Sequence, residues 1–598
     1  MENENLNKDQ KVKQKSKRTD VFKKSGSSRV IASASWTILM AVIGAIMLFI
    51  YQVIAGNYYG ESGGLSYFSV TAAILAISTA ISIGTGQAFI KIGKERYTID
   101  GIEKGNIKII QMSKINMLFG LIITGVVLII SVFNFTDPVF FIILIGASSG
   151  ILITYIKDIL GNMLGTLNRF DMLAIVGGIY GVIVCIFGFL IISLNLPPQF
   201  LAFIPTIMII IMLALSIFFY NKIKTVSFKD LFFSLKKFPI EKRFAKHYII
   251  YGIECTISNL VVFGIFSHIV LIMTFICYNY WGTFLGITTG VLNMTQILTL
   301  IDSFVFIEVA LIFFSGPLNV EVSEAYAKKD YITMEKSINA VGRIGIIIAL
   351  PISLAMTIMA PQLIKMFALG SVSKGSPPIL DPSLFFQAWL TLSITSFGQA
   401  FYGLACIFGA ALIGAGKAKK AAMGFGISAV LLFLSTPALI FLVGIIDDYF
   451  PIFGVSTYSL IGTGFAFLLS GIFVLPYLAR ATKTALKIKY DLRVKRLIPC
   501  LIILAIYLIL IPIDSGASFL LNYFPTLGFD LLKLILLTIF LLIGTLISGI
   551  SLCFFGVIGK GDGNILRDTF ASFKMGILAK IIIKIGKFIY YLNPMNPK

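Results

Sequence analysis

The chain has 598 residues, of which 57% are hydrophobic and only 13% are charged, and its formal net charge is +21. An average soluble protein has about 25% charged residues, so this composition excludes a single soluble domain, a disordered chain and a disulfide scaffold. Long apolar runs recur along the whole chain. Because a bilayer core needs about 20 apolar residues per helix, the sequence predicts an all-α polytopic membrane protein.

The apolar runs predict about 14 transmembrane helices, beginning with a first span that is too long for a cleavable signal peptide. The predicted spans cover residues 30–55, 66–90, 112–133, 138–160, 172–194, 199–220, 248–275, 287–316, 338–360, 384–413, 420–446, 456–478, 498–513 and 531–557.

The distribution of basic residues supports this count. With residue 1 in the cytoplasm and the spans alternating, all of the 49 Lys and Arg residues except Lys365, Lys374 and Lys533 fall in cytoplasmic segments. A missed or extra span would invert every later segment and destroy this asymmetry. The sequence therefore predicts a multi-pass protein of the plasma or inner membrane with both termini in the cytoplasm.

Two stretches of the chain resemble each other. Residues 161–174 end the fourth predicted span and residues 409–422 end the tenth, and the ungapped pairs include Gly161 with Gly409 and Arg169 with Lys417. The second and eighth spans also end alike, in 84–100 and 315–331. Both pairs are six helices apart, which predicts two six-helix lobes related by an axis along the membrane normal, followed by a C-terminal helix pair.

These features divide the chain into predicted regions. They are a basic cytoplasmic tail (1–29), an N-lobe (30–220), an amphipathic cytoplasmic linker (221–247), a C-lobe (248–478), a basic linker with the last two spans (479–557) and a basic amphipathic tail (558–598). In the linker, apolar residues recur at helical spacing over 228–238, and in the tail Lys580, Lys584 and Lys587 form one stripe. Both segments are predicted to lie in the headgroup region.

The segments SGPLNVEVSEAYAKKD (315–330), 337–370 and ALIGAGKAKKAA (411–422) resemble polysaccharide and lipid-linked oligosaccharide flippases. This family belongs to the multidrug/oligosaccharidyl-lipid/polysaccharide exporter superfamily. The resemblance implies a transporter that flips a polyprenyl-(di)phosphate-linked saccharide to the outer leaflet by alternating access. It also implies that the last two spans hold the long lipid tail. The sequence departs from the family pattern at 267–275, where a carboxylate is expected and none occurs.

Two other functions remain open at this stage. One is a cation-coupled exporter of drugs or toxins, for which the last two spans would have little use. The other is a membrane scaffold for saccharide synthesis that transports nothing. The sequence predicts no enzyme, no metal site and no cofactor other than Na⁺ or H⁺ as a coupling ion, because it has two His, no paired Cys motif and no intact phosphate loop.

Carboxylates inside predicted spans are candidates for ion coupling, because one at a helix centre costs about 2.5–3.5 kcal/mol to insert. Glu254 is predicted about two turns into the seventh span, whereas Asp302 and Glu308 lie within the eighth. The last two are six residues apart and cannot share one helix face. A structural role, for example a pairing of these groups with Asn259, is the alternative.

Cations at the mouth of a cavity are candidates for holding a lipid diphosphate, because Arg and Lys bind phosphate oxygens well. The candidates lie at the ends of three predicted spans, and the alternative for each is a simple anchor at the membrane surface. They are Arg29, Lys91, Arg96, Arg169 and Lys157, the last with Asp158 beside it. The expected partners are the lipid-linked saccharide, membrane lipids and the saccharide-synthesis enzymes. No nucleic acid is expected, and the chain is predicted to be a monomer.

Overall fold

The computed structural model describes residues 30–40, 64–133, 138–223, 226–232, 238–260, 314–369, 385–449, 461–509, 546–558 and 576–593, with a few positions between them. These residues form helices, turns and short connections, and none of them forms a β-strand.

The first half of the described chain contains seven labelled α-helices, which correspond to predicted spans 1–7. They are α1 (Val30–Met40), α2 (Gly64–Ile99), α3 (Gly101–Phe133), α4 (Pro138–Thr166), α5 (Phe170–Ser193), α6 (Ile204–Ile223) and α7 (Lys242–Leu260). A 3₁₀ turn, Pro198–Phe203, precedes α6, and a short helix, Phe228–Phe232, lies between α6 and α7.

The second half continues the same order. Its helices are α8 (Ser315–Ala327), α9 (Tyr331–Leu369), α10 (Phe385–Gly414), α11 (Ala418–Tyr449), α12 (Ile461–Leu486), α13 (Val494–Ile509), α14 (546–554) and α15 (Gly576–Leu592). Most of predicted span 8 and parts of spans 1 and 14 lie outside the described residues.

The protein is a multi-pass membrane protein. In the described part of the chain, eight helices are long and apolar enough to cross a membrane. Helix α3 exposes a broad apolar surface that includes Leu118, Ile122 and Ile129, whereas α10 is almost entirely covered by its neighbours. An apolar face of that extent is compatible with lipid and incompatible with water.

The two lobes repeat the same helix packing. In the N-lobe α4 packs against α2, α3 and α6, and α5 packs against α6. In the C-lobe α10 packs against α8, α9 and α12, and α11 packs against α12. Each contact recurs six helices later, so the predicted arrangement of two six-helix lobes is confirmed.

The repeat extends to single hydrogen bonds in the turns after α4 and α10. In the first turn the N–H groups of Asn168 and Arg169 donate to Gly165 and Leu164, at 2.9 and 2.8 Å. In the second, 248 residues later, Gly416 and Lys417 donate to Ile413 and Leu412 at the same two distances. The φ angles of Asn168 and Gly416 are 58° and 73°. Asn and Gly are the residues that tolerate this left-handed conformation, which explains why the two sequences resemble each other here.

Small residues allow α1 and α5 to approach closely. Gly178 faces Met40, and a Cβ atom at Gly181 would overlap the carbonyl oxygen of Gly44. Such contacts between small residues hold helices together in lipid, where burial of apolar surface gives no driving force. By the six-helix repeat, this pair corresponds to α7 and α11, which also pack together.

In the linker before α7, the described residues contain one short helix, Phe228–Phe232, whose apolar residues Leu231 and Phe232 are buried against protein, next to α3. Part of the predicted apolar face therefore covers protein, while residues 233–237 of the same pattern lie outside the described residues. The placement of the linker in the headgroup region stays a prediction. At the other end of the chain, Lys580, Lys584 and Lys587 are exposed on α15, as a helix at the membrane surface requires.

The added C-terminal helices are docked on the C-lobe. Asn339 of α9 bonds to the backbone of the linker through Lys489 and Asp491, at 2.7 and 3.0 Å. Leu504 and Leu508 of α13 then pack against Met359 of α9. These contacts fix α13 against one side of the C-lobe rather than leaving it free in the bilayer.

Arginines join α13 to the end of α14. Arg496 and Arg493 donate to the Gly556 carbonyl at 3.2 and 3.4 Å, and Arg493 also reaches the Val557 carbonyl at 3.3 Å. Cations are favourable at the C-terminal end of a helix, where carbonyl groups lack partners.

The close approach of α1 and α5 gives a test of the fold. We expect Gly181→Ala to destabilise the protein by about 1–3 kcal/mol, because the new methyl group overlaps backbone that cannot move away cheaply. Gly177→Ala, one position from Gly178 on the same helix, meets nothing within 4 Å and should be neutral or slightly stabilising. Thermal unfolding of the purified protein in detergent measures both, and equal melting temperatures for the two variants would contradict the packing.

Candidate functional site at the seam between the lobes

The two lobes meet along α2, α7 and α8. Helix α2 of the N-lobe packs against both α7 and α8, and α7 packs against α11 within the C-lobe. The contacts described below cluster where α2 and α8 end and where α10 turns into α11. Lys and Arg are concentrated in these turns, so this side of the protein is called the basic end.

A Lys–Glu pair joins the lobes directly at the basic end. Lys94 of α2 lies 3.1 Å from Glu324 of α8, and each side chain is 15% exposed. Glu324 also accepts a hydrogen bond from Lys328 at 2.7 Å. Exposed ion pairs contribute only about 0–1 kcal/mol, but removing one partner from a poorly hydrated pair costs more, because the other charge is left unpaired. This contact between Lys94 and Glu324 is called the clasp.

Lys91, one turn before Lys94, lies at a junction of three helices. Its ammonium pairs with Glu95 at 2.5 Å and lies 5.3 Å from the ring centre of Tyr251 on α7. The Tyr251 hydroxyl donates to the Ile413 carbonyl at the end of α10. A side chain at Gly416 would come within 3.6 Å of the ammonium. The C-lobe turn therefore rests on α2 of the N-lobe.

The N-lobe turn makes the reciprocal contact. Phe170, directly after Arg169, packs with Val320 of α8 and with Ile90 of α2. Each repeated turn thus touches the second helix of the opposite lobe. The basic end of the seam is closed on both sides of the pseudo-twofold axis by equivalent parts of the two lobes.

The four predicted cations that the structure describes each have a carboxylate partner close by in sequence. Arg96 pairs with Asp100 at 3.1 Å, Lys157 with Asp158 at 2.9 Å, and Arg169 with Asp171 at 2.8 Å. The fourth described cation, Lys91, is paired with Glu95 as given above. Within the described residues no contact joins Lys157 or Arg169 to Lys91, so these cations form separate neutralised pairs rather than one basic cluster.

The Lys157–Asp158 pair lies within α4 and both side chains are largely covered, at 15% and 16% exposed. The second carboxylate oxygen of Asp158 is buried and makes no hydrogen bond. A buried acceptor without a donor is costly, so this pair is under-satisfied in the conformation described.

Among the predicted carboxylates, only Glu254 lies in the described part of the chain. Glu254 is half-buried on α7. This helix starts at Lys242, so Glu254 lies more than three turns from the helix start, rather than the two turns that the sequence predicted. It is next to Cys255 and within electrostatic range of Tyr251, so it belongs to the same junction as Lys91. Three other candidate residues lie outside the described part of the chain: Asp302, Glu308 and Arg29. Asn259 belongs to α7, but its side chain is not described.

Sequence reasoning missed the residues that join the lobes. Lys94 and Glu324 stand in the two similar segments 84–100 and 315–331. The charges of these two equivalent helix ends gave a usable signal, because they are opposite. One end contains Lys91 and Lys94, and the other contains Glu321 and Glu324. Tyr251 gave no such signal, because an aromatic residue in an apolar span is ordinary.

In the described part of the chain, no group of three or more His, Cys, Asp or Glu side chains could hold a metal ion. The side chains brought together at this site instead form a charged contact between the two lobes.

Comparison with known proteins places the fold. No protein-family model and no curated protein sequence matches this chain. Solved structures do match: a MOP superfamily transporter from Pyrococcus furiosus, described as having a binding pocket of reverse polarity, has a TM-score of 0.58 at 13% identity. An outward-facing multidrug resistance MATE family transporter has a TM-score of 0.58 at 12% identity, and the Vibrio cholerae MATE transporter VcmN has 0.57 at 14%.

This chain has the fold of MOP-superfamily transporters. The matches cover 78%, 78% and 77% of this chain and 100%, 98% and 98% of the respective solved chains. The solved transporters are therefore contained almost whole within this fold, and about a fifth of the present chain lies outside the match.

Charge reversal tests the clasp. We expect Lys94→Glu or Glu324→Lys alone to open the basic end, and the double variant to close it again, because attraction becomes repulsion and then attraction. Native Cys255 is a reporter, since it is fully buried on α7 beside this junction. With the other cysteines replaced by serine, maleimide labelling of Cys255 should be several-fold faster in each single variant than in the double variant.

Lys328→Glu is the matched control, because Lys328 contacts Glu324 from the same helix and does not join the lobes. It should leave the labelling rate close to that of the parent protein. Equal labelling in all four variants would show that the clasp does not hold the seam closed.

Proposed function

We propose that this protein flips a polyprenyl-(di)phosphate-linked oligo- or polysaccharide unit from the cytoplasmic to the outer leaflet by alternating access. The basic end is the cytoplasmic side in this proposal, in agreement with the distribution of Lys and Arg. The protein would act as a monomer in the plasma or inner membrane with both termini in the cytoplasm, driven by a Na⁺ or H⁺ gradient or by the membrane potential.

The observation that favours a lipid-linked substrate is the additional helix pair. The solved transporters are matched over almost their whole length, whereas 22–23% of this chain lies outside the match. After the two six-helix lobes, α13 is docked on α9 and tied to the end of α14 by Arg493 and Arg496. Outward-facing Ile502, Ile506 and Ile509 of α13 extend the apolar surface of the C-lobe. A surface of this kind can hold a hydrocarbon tail while the polar head crosses between the lobes.

The paired cations suit an anionic head group. A diphosphate that enters the seam can replace a carboxylate as the partner of a lysine, so that the lysine stays paired while the carboxylate is released. The candidate pairs for this exchange are Lys91 with Glu95 and Lys157 with Asp158. The under-satisfied Asp158 makes the second pair the easier one to rearrange.

The clasp and Glu254 have separate roles in this proposal. Breaking the contact between Lys94 and Glu324 opens the cytoplasmic side, and its re-formation closes that side once the head group has moved outward. Glu254, half-buried at the same junction, would bind the coupling ion together with Asp302 or Glu308. Arg29, Arg96 and Arg169 would attract the head group to the entrance.

A cation-coupled exporter of small molecules is the second candidate, because two of the similar structures are described as MATE transporters. The scaffold function is less well supported, since a protein that only holds enzymes has no need of two lobes joined by a breakable contact.

Reconstitution distinguishes these functions. The protein is placed in liposomes with a fluorescent polyprenyl-diphosphate oligosaccharide, and a membrane-impermeant quencher reports which leaflet holds the label. We expect gradient-dependent flipping, reduced at least tenfold by Glu254→Gln and by Lys157→Gln. Lys420→Gln, an exposed lysine at the start of α11, is the control and should retain flipping.

Efflux of a cationic dye without flipping of the lipid would support the exporter instead. Neither activity, in protein that remains folded, would contradict the proposal of a transporter.

A further inference from the structure

A small apolar cavity lies in the seam beside α7. It has a volume of about 210 Å³ and opens outward between α2, α3 and α7. Its lining residues are Thr85, Phe119, Tyr248, Ile249, Gly252, Ile253, Thr256 and Ile257. Helices α2 and α3 belong to the N-lobe, whereas α7 belongs to the C-lobe, so a molecule in this cavity touches both.

The lining accepts hydrocarbon and little else. The one aromatic hydroxyl, on Tyr248, is engaged by the Asn116 side chain at 2.7 Å and by the Thr85 carbonyl at 3.1 Å. Ile253 and Ile257 are 53% and 40% exposed beside the cavity, so its opening is apolar as well. Pockets for drug-sized ligands measure about 300–1,000 Å³, so this cavity fits part of a chain rather than a sugar or a whole drug.

A group of cations lies on the same face of α7, toward the basic end. Two lysines and two cavity residues form one stripe along α7. They are Lys242, Lys246, Ile249 and Ile253, which are spaced by four, three and four residues. Lys242, Lys246 and the neighbouring Arg243 are exposed, and no carboxylate in the described part of the chain pairs with them. This distinguishes them from Lys91, Arg96, Lys157 and Arg169, each of which has a carboxylate partner.

The distance between the two parts matches a phospholipid. From Lys246 to Ile253 is seven residues, or about 10 Å along a helix. Basic groups beside a slot between transmembrane helices are a known arrangement for anionic head groups. Lys108 of α3 is already paired with Glu241, at 2.7 Å, so α7 supplies the free positive charge.

We propose that the seam between α2, α3 and α7 binds an anionic phospholipid. Lys242 and Lys246 hold its phosphate, and one acyl chain occupies the cavity between the lobes. Because both lobes contact the chain, the lipid stabilises the arrangement in which the basic end is closed. This site lies in the same seam, but Lys242 and Lys246 are not among the cations proposed to bind the transported head group, and the proposal does not depend on the identity of the substrate.

Photocrosslinking tests the site in the full-length protein. Nanodiscs of phosphatidylcholine are doped with phosphatidylglycerol that carries a diazirine in one acyl chain, and crosslinked peptides are identified by mass spectrometry. Phosphatidylcholine with the same diazirine chain is the reference probe. We expect labelling of residues 248–257 and 116–119, several-fold stronger with the phosphatidylglycerol probe.

Two kinds of variant separate the head group from the chain. Lys242→Gln with Lys246→Gln should bring labelling by phosphatidylglycerol down to the phosphatidylcholine level. Gly252→Leu should reduce labelling by both probes, because a Cβ atom there has room, 3.7 Å from the nearest atom, and the side chain then fills the cavity. Ile253→Gln is a second cavity variant at a half-exposed position, which should fold if Gly252→Leu does not.

Lys419→Gln with Lys420→Gln is the matched control, because these lysines are also exposed at the start of a helix, α11. It should leave labelling of 248–257 unchanged. Equal labelling by the two probes would overturn the proposal. So would labelling that depends on Lys242 and Lys246 but not on the cavity variants, since a basic surface patch alone would explain it.

Discussion

The two lobes share a buried apolar core, and a charged contact joins them at the basic end. Each lobe repeats the same helix packing, but residues of both lobes, among them Phe89, Met163, Leu318 and Phe408, belong to one continuous apolar cluster. The lobes meet at the basic end, where Lys94 and Glu324 form the clasp and each repeated turn rests on the opposite lobe. Opening of the basic end would therefore require the clasp to break and apolar contacts such as that of Phe170 with Val320 to separate.

The two lobes use the same backbone with different side chains. The turns after α4 and α10 have the same hydrogen bonds, and the helices around them pack in the same pairs. Charge breaks this symmetry: α2 contributes lysines to the seam and α8 contributes glutamates. Symmetry thus gives two bodies of equal shape that fit together, and the opposite charges hold them closed at one end.

Much of the architecture could be predicted from the sequence, because it depends on periodic features. The order of the spans follows from apolar runs about 20 residues long, and the repeat follows from the left-handed turn that Asn168 and Gly416 both make. The site was harder to predict. The partners Asp158 and Asp171 are close enough in sequence to be recognised, whereas the clasp joins residues 230 positions apart whose relation appears only once α2 and α8 lie side by side. In the linker, Leu231 and Phe232 are buried next to α3, and the apolar pattern alone could not show whether protein or lipid covers them.

The central claim is that transport requires the clasp to open, and a reversible crosslink tests it most directly. In a cysteine-free background, Lys94→Cys with Glu324→Cys is treated with a short bis-methanethiosulfonate and assayed for flipping of the fluorescent lipid-linked saccharide. Glu324→Cys with Lys328→Cys places the same crosslink within α8 and serves as the control. The account predicts that the crosslink between lobes stops transport, that reduction restores it, and that the control transports throughout. Undiminished transport with the lobes crosslinked would contradict it.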